Sequence, residues 1–253
     1  MNRYQYALTS GLMLIASTTA WADYDVDPYV ELLLMAGVTT TDSENATLET
    51  FSFQELEQTN QSDWNFFTGQ VGVSYVYPLA DFSTGVVDWF PSIMPQINVY
   101  FIDSGEIVGN MYEQPTNVNN LDYTMDYDNI RAMFDLGITV LAIDRFSIYA
   151  LAGVGMSWNS IDFKANPTPE GMDNDVDPFE LYGQHSSSMA YEFGGGVSYA
   201  LLDSVAISVE YLYAGILDVK IDQDNNDYTA DVASTEFDIN TQTILAGLRL
   251  KFP

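Results

Sequence analysis

Eight stretches of the chain place apolar residues at every second position, the period of a strand whose two faces meet different surroundings. They span approximately 28–38, 64–77, 90–103, 129–142, 146–158, 188–201, 205–217 and 237–252. In the fourth, Ile130, Ala132, Phe134, Leu136, Ile138, Val140 and Ala142 share one face, and Arg131, Met133, Asp135, Gly137, Thr139 and Leu141 share the other. The second opposes Phe67, Val71, Val73, Tyr75 and Tyr77 to Thr68, Gln70, Gly72 and Ser74. In the third, Ile93, Ile97, Val99 and Phe101 oppose Ser92, Gln96, Asn98 and Tyr100.

The charges inside these stretches sharpen the reading. Glu31, Arg131, Asp135, Glu192, Glu210, Arg249 and Lys251 all share parity with the small or polar residues, and none falls in an apolar row. That is the distribution expected if the apolar rows meet lipid, where an Arg or Lys at mid-depth costs about 2–4 kcal/mol. A soluble β-sandwich also tolerates charges on one row only, so parity alone does not separate the two architectures. Length does, because soluble strands usually run about 5–6 residues, whereas 9–11 tilted residues cross a bilayer and these stretches are longer still. Aromatic residues such as Phe146 and Trp158 at the ends of apolar rows point the same way. The fold class predicted is all-β, an eight-stranded antiparallel up-and-down transmembrane β-barrel.

Link lengths alternate as such a barrel requires. Ile143-Asp144-Arg145 and Leu202-Asp203-Ser204 are short, the pattern of periplasmic turns, while polar segments at about 39–63, 104–128, 159–187 and 218–236 are read as long acidic extracellular loops. The stretch 78–89 is longer than a periplasmic turn usually is, and Phe51 and Phe53 suggest some strand extension within 39–63. At the amino terminus, Arg3, the apolar run 7–16 and the small-residue site Ala20-Trp21-Ala22 read as a secretory signal peptide over 1–22, leaving 23–253 as the barrel domain.

Composition limits the chemistry. Cleavage after Ala22 leaves six Lys and Arg against 36 Asp and Glu, a net of −30. Phosphate backbones need a basic face, so nucleic acid is excluded as a partner. Disorder is excluded by the wealth of aromatics. With no cysteine there is no disulfide, thiolate metal site or lipidated cysteine. No cofactor is expected.

The carboxyl half has a familiar look. Gly194-Gly195-Gly196-Val197-Ser198-Tyr199-Ala200-Leu201, followed after a short turn by Val205, Ile207, Val209, Glu210, Tyr211 and Tyr213, resembles the opacity-protein and OmpA-like outer-membrane β-barrel family. Tyr149-Ala150-Leu151-Ala152-Gly153-Val154-Gly155 is similar to that family's central strand, and Gly247-Leu248-Arg249-Leu250-Lys251-Phe252 to its closing strand. The specific match covers about the last 110 residues. It implies outer-membrane localisation, insertion by the barrel-assembly machinery, and a role in envelope integrity, adhesion or surface recognition. The chain departs from the family at its end, where Pro253 follows the aromatic residue that the machinery reads.

Three sets of candidate residues follow. An eight-stranded barrel is just wide enough for its interior side chains, so Glu31, Asp135, Glu192 and Glu210 are expected to pair with Arg131, Arg249 and Lys251 as a salt-bridged plug. A small conduit for ions or hydrophobic molecules is the alternative. Asp173, Asp175 and Asp177, and likewise Asp222 and Asp224, have the oxygen spacing of calcium loops. However, Pro178 and Asp227 stand where such loops need Gly, and Gln184 and Ala233 where they need Glu. Solvated loops explain these acids with fewer assumptions than divalent bridging to lipopolysaccharide, although outer-membrane lipid, lipopolysaccharide and a host or matrix ligand are the partners expected. Finally, His185 and Ser187 resemble the His-x-Ser element of lipid A deacylases, with Glu192 as the third member, but Glu192 has the opposite parity.

Overall fold

A computed structural model describes residues 27–43, 47–49, 55–61, 65–79, 82–83, 88–89, 91–113, 118–143, 145–169, 179–221 and 235–252. Twelve strands occupy nearly all of them: β1 (Tyr29–Ser43), β2 (Thr47–Glu49), β3 (Glu55–Gln61), β4 (Asn65–Pro78), β5 (Phe82–Ser83), β6 (Asp88–Trp89), β7 (Ser92–Glu113), β8 (Val118–Ile143), β9 (Phe146–Pro167), β10 (Phe179–Leu202), β11 (Val205–Ile221) and β12 (Thr235–Phe252). Eight of them, β1, β4 and β7 to β12, pair antiparallel with their neighbours in chain order. Pairing of β1 with β12 closes the ring. The short pair β5–β6 lies within the long periplasmic-type link, and β2–β3 adds a hairpin to the far end of β7.

The register fixes the barrel's pitch. Followed sideways from Glu31, partners run through Ser74, Gln96, Asp135, Gly153, Glu192, Ala214 and Thr241 and return to β1 at Thr41, ten residues from the start. A stagger of ten over eight strands, with about 3.3 Å per residue and 4.8 Å between strands, tilts the strands by about 40°. On β8 the outward apolar row from Ile130 to Val140 then rises about 25 Å, the height of the apolar band of a membrane barrel.

The alternation read from the sequence is the observed one. Phe67, Ile97, Phe134, Leu136, Val154 and Met189 lie outside and exposed, while Gln70, Asn98, Arg131, Asp135, Ser157 and Glu192 are buried inside. One glycine on the outer wall is covered rather than bare, because the Tyr191 ring of β10 lies across Gly215 of β11 at the site its Cβ would fill.

All four long loops are shorter than expected. β7 and β8 extend as a paired ribbon through most of 104–128, β9 and β10 through much of 159–187, and β11 and β12 reach into 218–236. The period of two continues there with its polarity reversed. Tyr123, Tyr127, Ile161 and Ala165 point inward and are buried, while Asp122, Asp126 and Asp162 point outward. Apolar outward rows mark strands only where lipid surrounds them, so these water-facing continuations read as loop. In the segment 39–63, β1 runs on to Ser43, and β2 and β3 follow. Where β11 leaves the belt, a bulge between Ile216 and Val219 puts Asp218 at φ 53°, a conformation Asp tolerates better than most residues. Its N–H donates to Asp238 Oδ1 at 3.1 Å.

Candidate functional site

The interior is built in four layers from the short-turn end to the long-loop end. The first is organised by Arg249 of β12, whose Nη1 lies 3.1 Å from Glu31 Oε2 and whose Nη2 lies 2.8 Å from Glu210 Oε1. Tyr149 donates to the same Glu210 oxygen at 2.7 Å, and the guanidinium sits 4.2 Å from the Tyr149 ring centre. One cation thus holds acids from the strands on either side of it.

The second layer centres on Arg131 of β8. Its Nη2 stands 3.3 Å from Glu192 Oε2, with both side chains fully buried. The approach is an ion pair without good hydrogen-bond alignment, and it is Tyr100 that donates to Glu192, to Oε1 at 2.7 Å. Arg131 also lies 4.8 Å from the Tyr100 ring centre and donates to Thr241 at 3.3 Å. Asp135 takes a 2.6 Å hydrogen bond from Asn98 Nδ2 and, among the described residues, has no cation of its own in contact. The layer therefore holds two carboxylates and one guanidinium.

Above it lies a neutral polar belt. Thr39 Oγ1 lies 2.5 Å from Thr68 and 2.8 Å from Thr243, and Asn129 Nδ2 bonds Ser157 Oγ and, at 2.7 Å, Asn159 Oδ1. The fourth layer is apolar: Phe66, Tyr123, Tyr127, Ile161, Val219 and Ile239 are each at most 3 % exposed. Phe66 and Tyr127 meet edge to face with ring centres 6.3 Å apart.

Glycines make the polar layers possible. Gly153 lies between Asp135 and Glu192 in one lateral row, and Gly196 lies between Tyr149 and Glu210. A Cβ at Gly153 would collide with the Asp135 carboxylate, and one at Gly196 would sit 2.5 Å from the Tyr149 hydroxyl. Tyr149 on β9 thus reaches Glu210 on β11 across a strand that contributes no side chain there. Sequence reading put Tyr100 on the polar face but missed its role, and missed Tyr149 and both glycines, because the gaps become visible only once the register is known.

Of the residues singled out from sequence, Glu31, Glu210 and Arg249 come together, as do Glu192 and Arg131, with Asp135 beside them. Lys251 joins neither group. It lies exposed at the short-turn rim with Nζ 3.8 Å from the Tyr29 ring centre, because a charge where the lumen opens to water needs no buried partner. His185 and Ser187 are exposed on the outer wall, while Glu192 lies inside against Arg131, so the barrel wall separates the supposed acid from its base. Asp173, Asp175, Asp177, Asp222 and Asp224, together with residues 1–22, lie outside the described residues. Among the described residues no three His, Asp or Glu side chains converge as a metal site.

On the outer wall, two lateral rows meet where the apolar belt ends. Asp128, Ser160 and His185 are register partners across β8, β9 and β10, and Ile130, Trp158 and Ser187 form the next outward row toward the belt. Between them lies a groove of about 460 Å³, with Asn129, Asn159 and Ser186 of the intervening row also lining it. Partial burial, and behind it the charges of Asp103, Asp126 and Asp162, hold the Asp128 carboxyl above the usual carboxylate range.

A closed eight-stranded ring with a lipid-compatible outer band and a charged interior defines an integral β-barrel of the membrane class. The model of the outer membrane protein beta-barrel domain matches residues 8–252, and the chain belongs to that family and to the outer membrane. Among solved structures it is similar to Neisserial surface protein A, at 13% identity over 88% of this chain and 97% of that one, with a TM-score of 0.38. It is also similar to OprG of Pseudomonas aeruginosa, at 14% identity over 88% and 95%, TM-score 0.40, and to the outer membrane protease OmpT of Escherichia coli, at 10% identity over 93% and 100%, TM-score 0.49. No curated protein matches.

Proposed function

We propose that the chain is a non-enzymatic surface barrel: the strands anchor it, the interior is a plug, and the long-loop end projects outside the cell as an acidic recognition surface. The filled lumen carries this reading. Two charged layers, a hydroxyl and amide belt and an apolar cap succeed one another along the axis, each made of buried side chains from several strands. This argues against an ion path. The apolar cap, at whose level β7, β8 and β9 stay paired, argues equally against a conduit for hydrophobic molecules. Glu192 lies inside the wall against Arg131, away from the exposed His185 and Ser187, which argues against the deacylase alternative built on that acid.

What projects is substantial. Residues 118–128 of β8 extend beyond Asn129 by roughly 25–30 Å at the barrel's tilt, and Asp122, Asp126 and Asp128 face outward along them. Basic surfaces are the complementary partners, with long-range attraction that salt screens. The test is conductance of the folded protein in planar bilayers, paired with salt-dependent binding of an oligolysine probe to protein in nanodiscs. Absence of stepwise conductance, with probe binding lost when the outward acids of β8 become Asn, is expected. Stable channels would overturn the plug, and probe binding indifferent to those substitutions would overturn the recognition surface.

A further inference from the structure

The groove on the outer wall has the composition of a binding site. Its two outward rows differ in character: Ile130 and Trp158 belong to the top of the apolar belt, whereas Asp128, Ser160 and His185 stand one pleat further out, with Ser187 beside Trp158. A ligand seated there meets hydrocarbon at one edge and hydrogen-bonding groups at the other, as the boundary between a lipid's tail and its head does. Asn129, Asn159 and Ser186 of the intervening row turn their side chains inward and close the groove with their backbone, so the polar groups it offers are those of the two outward rows. At about 460 Å³ the groove is in the size range of small-ligand pockets.

Charge selects among lipid heads. Among the described residues no Lys or Arg lines the groove and its one carboxylate is Asp128, and Asp103, Asp126 and Asp162 add to the negative field around that group. A bare phosphate is repelled there. A primary ammonium is attracted, can donate to Asp128 and to the Ser160 and Ser187 hydroxyls, and can lie against the Trp158 face. A quaternary ammonium has the charge but no N–H to donate.

We infer that this groove holds the head of a membrane lipid bearing a primary ammonium. Two sources carry that chemistry, phosphatidylethanolamine and a glycolipid whose phosphates bear amine substituents. The test is native mass spectrometry of the folded full-length protein released from micelles containing equal amounts of phosphatidylethanolamine, phosphatidylcholine and phosphatidylglycerol, repeated with amine-substituted and unsubstituted lipid A. Preferential retention of phosphatidylethanolamine assigns the phospholipid, and preference for amine-substituted lipid A alone assigns the glycolipid. Asp128→Asn is expected to reduce the retained amine lipid about tenfold, the worth of one charge-assisted hydrogen bond. Asp203→Asn, at the opposite rim, is expected to leave it unchanged. Heat-dependent gel mobility verifies that both variants are folded, and Trp158→Leu, which removes the aromatic edge, should weaken retention independently. Equal retention of amine and non-amine lipids overturns the inference, as does retention in Asp128→Asn equal to that of the parent.

Discussion

Charge counting in the second interior layer makes a quantitative prediction. Arg131 is fully buried, Glu192 contacts it at 3.3 Å, and Asp135 lies in the same electrostatic neighbourhood, separated from Glu192 by Gly153. Arg131→Met leaves two carboxylates and no cation. Each can escape only by taking a proton, which for an ordinary carboxyl near pKa 4.3 costs about 3.7 kcal/mol at pH 7. The loss expected is therefore about 4–7 kcal/mol, bounded above by protonating both. Glu192→Gln leaves Arg131 with Asp135, one charge of each sign, and forfeits the ion pair and the charged character of the Tyr100 hydrogen bond, about 1–3 kcal/mol. Asp135→Asn removes the surplus acid but weakens the bond from Asn98, for a net change within about 1 kcal/mol. Urea unfolding and refolding in lipid vesicles, followed by tryptophan fluorescence and gel mobility, gives all three. If Glu192→Gln proves as damaging as Arg131→Met, or Asp135→Asn costs more than about 2 kcal/mol, the count is not what governs the layer.

Other variants test other parts of the architecture. Gly153→Ala, whose Cβ would lie 2.5 Å from the Phe134 carbonyl oxygen, and Gly196→Ala, equally close to the Val209 carbonyl oxygen, should each cost about 1–3 kcal/mol in the same unfolding assay. Wild-type stability in either would mean that the rows do not interlock as described. Phe134→Arg, at a position 56 % exposed in the middle of the apolar band, should lose about 2–4 kcal/mol in vesicles, and a neutral result would move the band away from β8's centre. Because the Asp128 carboxyl is raised in the folded protein, its contribution favours folding at low pH and is lost as pH rises through that value. Asp128→Asn should thus gain on the parent at neutral pH, with the gain disappearing on acidification. Asp103, Asp126 and Asp162 share that surface, and His185 on β10 is the other titratable group of the row, so the comparison belongs between this pair of proteins and not in the parent's profile alone. Parallel pH profiles for the two would refute the assignment.

Most of the barrel was legible because lipid imposes a simple rule on the outer face. The row from Ile130 to Val140 announces a strand, its length and its lipid side together, and the parity of Arg131, Asp135 and Glu192 places them inside without any knowledge of neighbours. Beyond the belt that rule lapses. Tyr123 and Tyr127 keep the period of two but face inward, opposite to the lipid-belt polarity, so the extensions of β7 to β10 were read as loops. The partners of the interior charges were less accessible. That Arg249 takes both Glu31 and Glu210 while Lys251 takes neither depends on register and on where the lumen opens, and a single strand's pattern carries neither. The outer groove was invisible for the same reason: Asp128, Ser160 and His185 are far apart in sequence and adjacent only across β8, β9 and β10.

The buried charges invite a last question, whether they hold the barrel together or tell it which way to face. A strand shifted by one residue exchanges its two faces, and for β8 that would send Arg131 and Asp135 into lipid while turning Phe134 and Leu136 inward. The Arg alone would then cost about 2–4 kcal/mol at mid-depth. Buried ion pairs, in contrast, often add little to net stability, since desolvating the partners offsets their attraction. On these magnitudes the pair's larger contribution is to exclude the wrong register. Replacing both members by apolar residues, Arg131→Met with Glu192→Leu, should therefore restore most of the stability lost by Arg131→Met alone while loosening the choice of face. Refolded protein would show a midpoint near the parent's but a divided population, seen as split gel bands or doubled amide resonances. A double variant as unstable as Arg131→Met, or one as homogeneous as the parent, would return the pair to a purely stabilising role.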